Sequence, residues 1–326
     1  MTMNDGSGLV FAYQLDGKGG GRQLTLDDLG SVDPGQGWVW AHLDATSPAA
    51  RQWLQQQSGL DPFVVAALLS EMTRPRFSEV DGGALLNLRG INLNENAEPE
   101  DMVSIRIWVA GDRIISARLR RLKAVIDIAE RIQKGSGPRH GGEVVAMIAS
   151  RLLDRMEPTF RELDQAVDET EDAVVQEPDA VMRERIVEIR RRAIMLRRYI
   201  APQRDALAAL RAADFAWIDS PVRRSLQDSY DRLCRFAEEL DAVRERAQII
   251  HDELKNAMAD RLNRNMYVLS IVAAVFLPLG FLTGLFGINV GGIPGAEVPE
   301  AFTWFSAALV VIVAVQVVVF RWLRWF

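Results

Sequence analysis

Two apolar stretches decide the architecture of this chain: Met266–Phe286, MYVLSIVAAVFLPLGFLTGLF, and Ala301–Phe320, AFTWFSAALVVIVAVQVVVF. Neither holds an Asp, Glu, His, Lys or Arg. A helix needs about 20 such residues to cross the hydrocarbon of a bilayer, and a helix satisfies its own backbone there. The pair reads as a transmembrane hairpin. Lys255, Arg261 and Arg264 precede it and Arg321 and Arg324 follow it, whereas the connection 290–300 offers Glu297 and Glu300 and no base. The positive-inside asymmetry puts both termini in the cytoplasm and the connection outside. Trp304, Trp322, Trp325 and Phe326 suit the interfacial belts at the two ends of the second span.

Working outward, the remainder is polar. The chain has 326 residues, 48% hydrophobic and 25% charged, with a formal net charge of −6. That length supports a sizeable core and more than one domain. The acidic balance speaks against a nucleic-acid partner, which demands a concentrated basic surface. A single cysteine, Cys234, excludes an intrachain disulfide and a Cys-rich zinc cluster. The first 25 residues lack an apolar signal core, so the N-terminus is expected to stay inside. No P-loop, HExxH or nucleophile elbow occurs, and Gly17–Gly21 reads as a flexible turn, so enzyme readings fail.

Over residues 1–140, β-type runs (Leu9–Leu15, Gly37–Leu43, Ala84–Leu88, Ser104–Val109, Arg113–Ser116) alternate with helical ones (Ser47–Gln57, Asp61–Ser70, Arg121–Gln133). This predicts an α+β cytoplasmic domain. Residues 143–176 and 179–212 predict a long helical hairpin broken at Glu177-Pro178. Asp219-Ser220-Pro221 then starts a helix with proline in the first turn. Leu226, Tyr230, Leu233, Phe236, Leu240, Val243, Ala247, Ile250 and Leu254 follow at steps of three and four, the stripe of a helix packed on helices. A helix from Pro221 to Gly287 would extend on the order of 100 Å, a stalk that enters the bilayer.

Along the first span, Asn263, Met266, Ser270, Ala273, Leu277, Gly280, Gly284 and Gly287 share one small or weakly polar face. Gly280 and Gly284 form a GxxxG pair, so the pattern alone fits helix packing as well as a pore wall. Two spans cannot enclose a channel, and a pore requires several copies of the chain.

The run Phe276–Asn289, FLPLGFLTGLFGIN, resembles the end of the first membrane helix of the CorA superfamily of divalent-cation transporters, where a Gly-Met-Asn signature precedes a short external loop and one further helix. Here Gly287-Ile288-Asn289 stands in that place, the variant of ZntB-type zinc transporters. Trp38–Asp44 and Thr73–Arg76 resemble early segments of the family's cytoplasmic domain, so the likeness spans most of the chain. It implies a funnel-shaped homopentamer in the inner membrane that imports zinc as transported ion, with no prosthetic group, and proton-driven uptake in ZntB-type members. It further implies that Gly287, Ile288 and Asn289 select at the outer mouth. The side-chain oxygens of an Asn289 ring would meet a hydrated cation there, and Gly287 would add its backbone carbonyl.

On that reading Asn263, Met266, Ser270, Ala273, Leu277, Gly280 and Gly284 line the pore. Glu297 and Glu300 gather cations outside, and Arg321 and Arg324 form a cytoplasmic basic collar. The expected organisation is an α/β domain (1–140), hairpin (141–220), stalk (221–265), pore helix (266–289), periplasmic loop (290–300), second span (301–320) and basic tail (321–326). No His or Cys lies in the spans or loop, so the ion would pass largely hydrated. Residue chemistry thus leaves magnesium, cobalt and nickel open beside zinc. Neither span has a titratable proton carrier, since Gln316 cannot titrate. The competing reading from another class is a membrane-anchored scaffold or sensor, which has no use for a polar Asn289. The acidic tip of the hairpin, Glu162 to Asp179, reads as a solvated surface. His42 and His140 read as structural or solvated; His251 and Cys234, seventeen residues apart on the stalk helix, could form rings in an oligomer but do not predict a metal site within one chain.

Overall fold

The computed structural model describes residues 7–31, 35, 37–71, 74–176, 178–287, 295 and 298–322. They form two compact units, residues 1–252 and 253–326.

The first unit is built on a seven-stranded sheet. Its strands are β1 (Leu9–Leu15), β2 (Gly21–Gln23), β3 (Val39–Asp44), β4 (Arg76–Val80), β5 (Gly83–Gly90), β6 (Val103–Ala110) and β7 (Arg113–Arg118). They lie in the order β2-β1-β3-β7-β6-β5-β4. Every neighbouring pair is antiparallel except β3 with β7 at the centre. The helices α1 (Pro48–Gln56) and α2 (Pro62–Leu69) close one face over Ala41, Leu43, Leu85, Trp108 and Ile115. On the other face lies α3 (Lys123–Gln133), whose Gln133 amide donates to the Tyr13 hydroxyl at 2.7 Å. Leu152 of α4 (Gly141–Gln176) packs at Gly90 on that same face. With both faces covered, the central strands are buried almost without alternation.

Two strands escape the periodicity reading, β2 and β4. The signal for β4 lies in its turn: Asp81 and Gly82, at φ of 49° and 67°, form the two-residue loop that pairs Val80 with Gly83. Asp-Gly suits a turn in which both central residues have positive φ. Ser47 departs from expectation too, making no side-chain cap bond while Pro48 opens α1. Asp61 does cap, accepting from the Phe63 amide at 2.7 Å.

The helical part follows the expected stripe. The first-unit portion of α6 (Ser220–Phe286) starts at Asp219, whose carboxylate accepts the Val222 amide at 2.9 Å. Leu226, Leu233, Phe236, Leu240, Val243, Ala247 and Ile250 are all buried, as is Leu254 beyond the unit boundary. Tyr230 is half-buried. Ion pairs record the helix directions. Between α4 and α5 (Ala180–Ala212), Glu169–Arg185 and Glu162–Arg192 are 16 and 30 residues apart, so these helices are antiparallel. Arg232–Asp154 and Arg246–Asp168 are both 78 apart, so α6 runs parallel to α4. Partly exposed pairs of this kind contribute about 0–1 kcal/mol each. A fully buried leucine or phenylalanine contributes about 1.5–3 kcal/mol, so the apolar stripe holds the bundle and the ion pairs fix its register.

Helix α4 begins at a close approach. A Cβ on Gly142 would lie 2.1 Å from the Trp217 carbonyl oxygen, and one on Gly141 2.1 Å from the Trp38 ring. Alanine would favour an isolated helix by about 1 kcal/mol, but a backbone carbonyl cannot swing aside. Gly142→Ala is therefore expected to lose about 2 kcal/mol of stability net, read as a lowered thermal midpoint of the purified protein.

Candidate ion pathway

The second unit holds the rest of α6 and α7 (Ala301–Trp322), which ends two residues beyond the expected span. Both helices are long and apolar enough to cross a membrane, and neither apolar stretch is buried within the chain. Side chains of this kind are stable in water only when covered, so lipid or other copies of the chain must surround them.

Two faces of α6 separate here. Ile271, Ala274, Val275, Pro278, Leu279 and Leu282 are partly buried, the face shared with α7. The Gln316 amide nitrogen donates to the Ala274 carbonyl at 3.3 Å, and Phe286 meets Phe305 with ring centroids 5.0 Å apart. The residues expected to line a pore lie elsewhere. Asn263, Met266, Ser270, Ala273, Leu277, Gly280, Gly284 and Gly287 are all exposed, on a face centred roughly 150° around the helix at 3.6 residues per turn. Met266 and Leu277 are 58% and 74% exposed. A Cβ on Gly280 or Gly284 would meet nothing within 4 Å. The GxxxG pair therefore serves no packing inside one chain.

Local chemistry on this helix is modest. The Ser270 hydroxyl donates to the Met266 carbonyl at 2.8 Å, and Thr283 to the Leu279 carbonyl at 2.9 Å. Their protons are spent on the helix and their lone pairs remain. Gly287 closes the last turn, its N–H reaching the Thr283 and Gly284 carbonyls at 2.9 and 3.2 Å. Ile288, Asn289, Glu297 and Arg324 lie outside the described residues. Glu300 is exposed, and its backbone carbonyl accepts from Thr303 and Trp304 at the start of α7; a carboxylate is favourable at such a positive helix end. Arg321 lies exposed in the last turn of α7, where a cation suits the negative end.

Among the described residues, no group of three or more His, Cys, Asp or Glu could hold a metal ion. The acids near the hairpin tip pair with arginines of the bundle. Arg246 takes Asp168 and Glu171 at 2.6 Å and Asp164 at 3.6 Å, while Arg185 and Arg192 take Glu169 and Glu162. These acids stay largely exposed, as the solvated-surface reading expects, and the ion pairs add cross-links between the helices. His42 is fully buried beneath the Phe11 ring at 5.2 Å. His140 lies 3.5 Å from Asp219 and 3.8 Å from Glu143, joining the starts of α4 and α6. Cys234 is half-buried with a free thiol.

Comparison with known proteins agrees with this architecture. The family model described as CorA-like Mg2+ transporter protein matches residues 35–322. The divalent cation transporter CmaX of Pseudomonas aeruginosa is 40% identical over 326 residues, 98% of each chain. A zinc transport protein, ZntB of Pectobacterium atrosepticum, is 38% identical over 308 residues, covering 94% of this chain and 93% of the relative. The solved structure of full-length CmaX superposes with a TM-score of 0.85 at 40% identity, over 98% of both chains. By its seven-stranded sheet, its long helix running into an apolar hairpin, and these end-to-end matches, the chain belongs to the CorA-like Mg2+ transporter family.

Proposed function

We propose that this protein carries divalent metal cations, zinc foremost, into the cell across the inner membrane through an axial pore made by five copies of the chain. The observation that carries the reading is the unused face of α6. Within one chain the row from Asn263 to Gly287 is exposed, with open space where a Cβ would stand at Gly280 and Gly284, while the opposite side faces α7. Five such faces turned inward enclose a path whose wall offers small groups, a Ser270 hydroxyl and an Asn263 amide. Groups of this kind exchange hydrogen bonds with a hydrated ion without stripping it. Zinc is favoured over magnesium, cobalt and nickel because one full-length relative is named a zinc transport protein; the other is named only for divalent cations. Transport of an intact hydrated ion requires no His or Cys ligands along the path.

At the outer mouth, Gly287, Ile288 and Asn289 select. A ring of neutral amides binds the water shell well enough to admit the ion and weakly enough to release it. Ile288, stiff and branched, shapes the loop rather than binding metal. Glu297 and Glu300 raise the local cation concentration, and Arg321 and Arg324 anchor the cytoplasmic side. Both termini are cytoplasmic.

The test is zinc uptake into proteoliposomes that enclose a zinc-sensitive dye, with and without an inward proton gradient. Asn289→Ala is expected to cut uptake about tenfold, the size of losing one orienting polar ring, on the order of 1.4 kcal/mol. Stimulation by the gradient would assign proton coupling, and gradient-independent entry a passive channel. No flux of any divalent cation from a correctly assembled protein would overturn the reading in favour of an anchored scaffold.

A further inference from the structure

Pro278 sits inside α6, twelve residues into the apolar stretch that begins at Met266. Proline has no backbone N–H, so the carbonyl four residues earlier, that of Ala274, lacks its regular helical donor. In hydrocarbon no water can replace it. Across the hairpin, α7 carries Gln316 among Val315, Val317, Val318 and Val319, the one carboxamide in a span otherwise made of apolar residues and two hydroxyls. Its Nε2 donates to the Ala274 carbonyl at 3.3 Å. The other half of the same amide gains nothing, since Oε1 is buried without a hydrogen-bond partner among the described residues. A glutamine kept at such a depth is costly. The partner it does have is the carbonyl that the proline leaves open.

We infer that Gln316 is a positioning residue for the pore helix, its side-chain amide standing in for the backbone donor that Pro278 removes. The bond ties α7 to α6 at the point where the helical ladder of α6 is interrupted. It thereby holds the α7-facing side of α6 in register and, on the transport reading above, fixes the opposite face toward the axis. Leu309 and Val313, partly buried beside Leu279 of α6, contribute apolar packing that is non-directional. The hydrogen bond from the Gln316 amide is directional, and it sets the rotation of α6 about its own axis.

This makes a prediction that packing does not. Gln316→Met keeps the length and unbranched shape of the side chain and deletes the donor. Pro278→Ala returns a backbone N–H to position 278, so that Ala274 regains its own donor and Gln316 has nothing left to supply. The four full-length proteins (wild type, Q316M, P278A and the double variant) are reconstituted for zinc uptake and melted in parallel. Interhelical hydrogen bonds in bilayers support an effect of roughly threefold to tenfold. Q316M is expected to lower uptake by that factor, and the thermal midpoint with it, in the proline background. In the P278A background the same substitution is expected to change neither. Equal losses from Q316M in both backgrounds, or none in the proline background, would overturn the inference, because an amide that acts only by filling space ignores the residue at 278. Absence of zinc flux in the wild type would refute the transport reading alone. The melting comparison would still decide the role of Gln316.

Discussion

Gly284→Leu is expected to abolish cation flux while leaving the individual chain folded. A side chain begun at Gly284 meets nothing within 4 Å of its own chain, so the substitution removes no intrachain contact. Leucine is also the better helix former, by about 0.8 kcal/mol over glycine. In a ring of copies the same position brings several isobutyl groups to one level of the axis. Each projects well beyond a glycine hydrogen, and five together close an opening sized for a hydrated ion. An apolar plug also dewets its surroundings, which blocks ions even where geometry leaves a gap. The measurement pairs zinc uptake with the oligomeric mass of the solubilised protein. Lost flux at unchanged mass places Gly284 on the pore wall. Loss of the assembly itself would instead mean that Gly280 and Gly284 form a seam between copies, the GxxxG role, and the axial path would have to lie on another face. Unaltered flux would refute both.

Acidification is expected to destabilise the first unit, residues 1–252, through His42. The ring is fully buried, and burial first, then the Arg118 guanidinium, push its pKa down from 6.5 to about 3. Its Nδ1 lies 2.8 Å from the Ser116 hydroxyl, which also accepts from Trp40 Nε1 at 2.9 Å and approaches the Ala41 carbonyl at 3.3 Å. With the hydroxyl proton directed at Ala41, Nδ1 is the donor. Nε2 is then the bare nitrogen, buried without a partner among the described residues. The unfolded chain binds a proton near pH 6.5 and the folded one does not until about pH 3. Between those limits the unfolded state holds more protons, so stability rises with pH and falls as pH drops. From pH 6.5 to pH 4 the loss is on the order of 3 kcal/mol. The thermal midpoint of the full chain against pH reads it. His42→Phe, which keeps a ring beside Phe11 and cannot titrate, should give a flatter profile than the wild type between pH 6.5 and pH 4, so that the two curves diverge. Parallel profiles for both proteins would show that His42 is protonated in the folded state without penalty.

These two residues illustrate how unevenly the sequence speaks. The paired apolar spans, the charge asymmetry around them and the stripe from Leu226 to Leu254 are periodic and local, and periodicity is what a linear text preserves. The helix from Ser220 to Phe286 and the hairpin beside it follow directly. The Gly287-Ile288-Asn289 resemblance pointed to the family that the comparisons then established. The strand β4 was legible in principle through Asp81-Gly82, but its own residues, only partly buried, carry no clear alternation.

What sequence alone could not supply are contacts between residues far apart in the chain. His42 looks like any strand histidine until β7, paired in parallel with β3, brings Ser116 beneath it. The hairpin acids look unpartnered until Arg246 arrives from 75 to 78 residues away. Gln316 looks like a stray polar residue until the hairpin folds it onto Ala274, 42 residues earlier. The sequence by itself determined which segments are long and apolar enough to cross a membrane and which face of each helix is apolar, because those follow from composition and the 3.6-residue repeat. The tertiary structure alone decided that the glycine face is left free while the proline gap is filled. Which of two faces meets α7 depends on where the returning helix sets its one amide, and no local pattern encodes that.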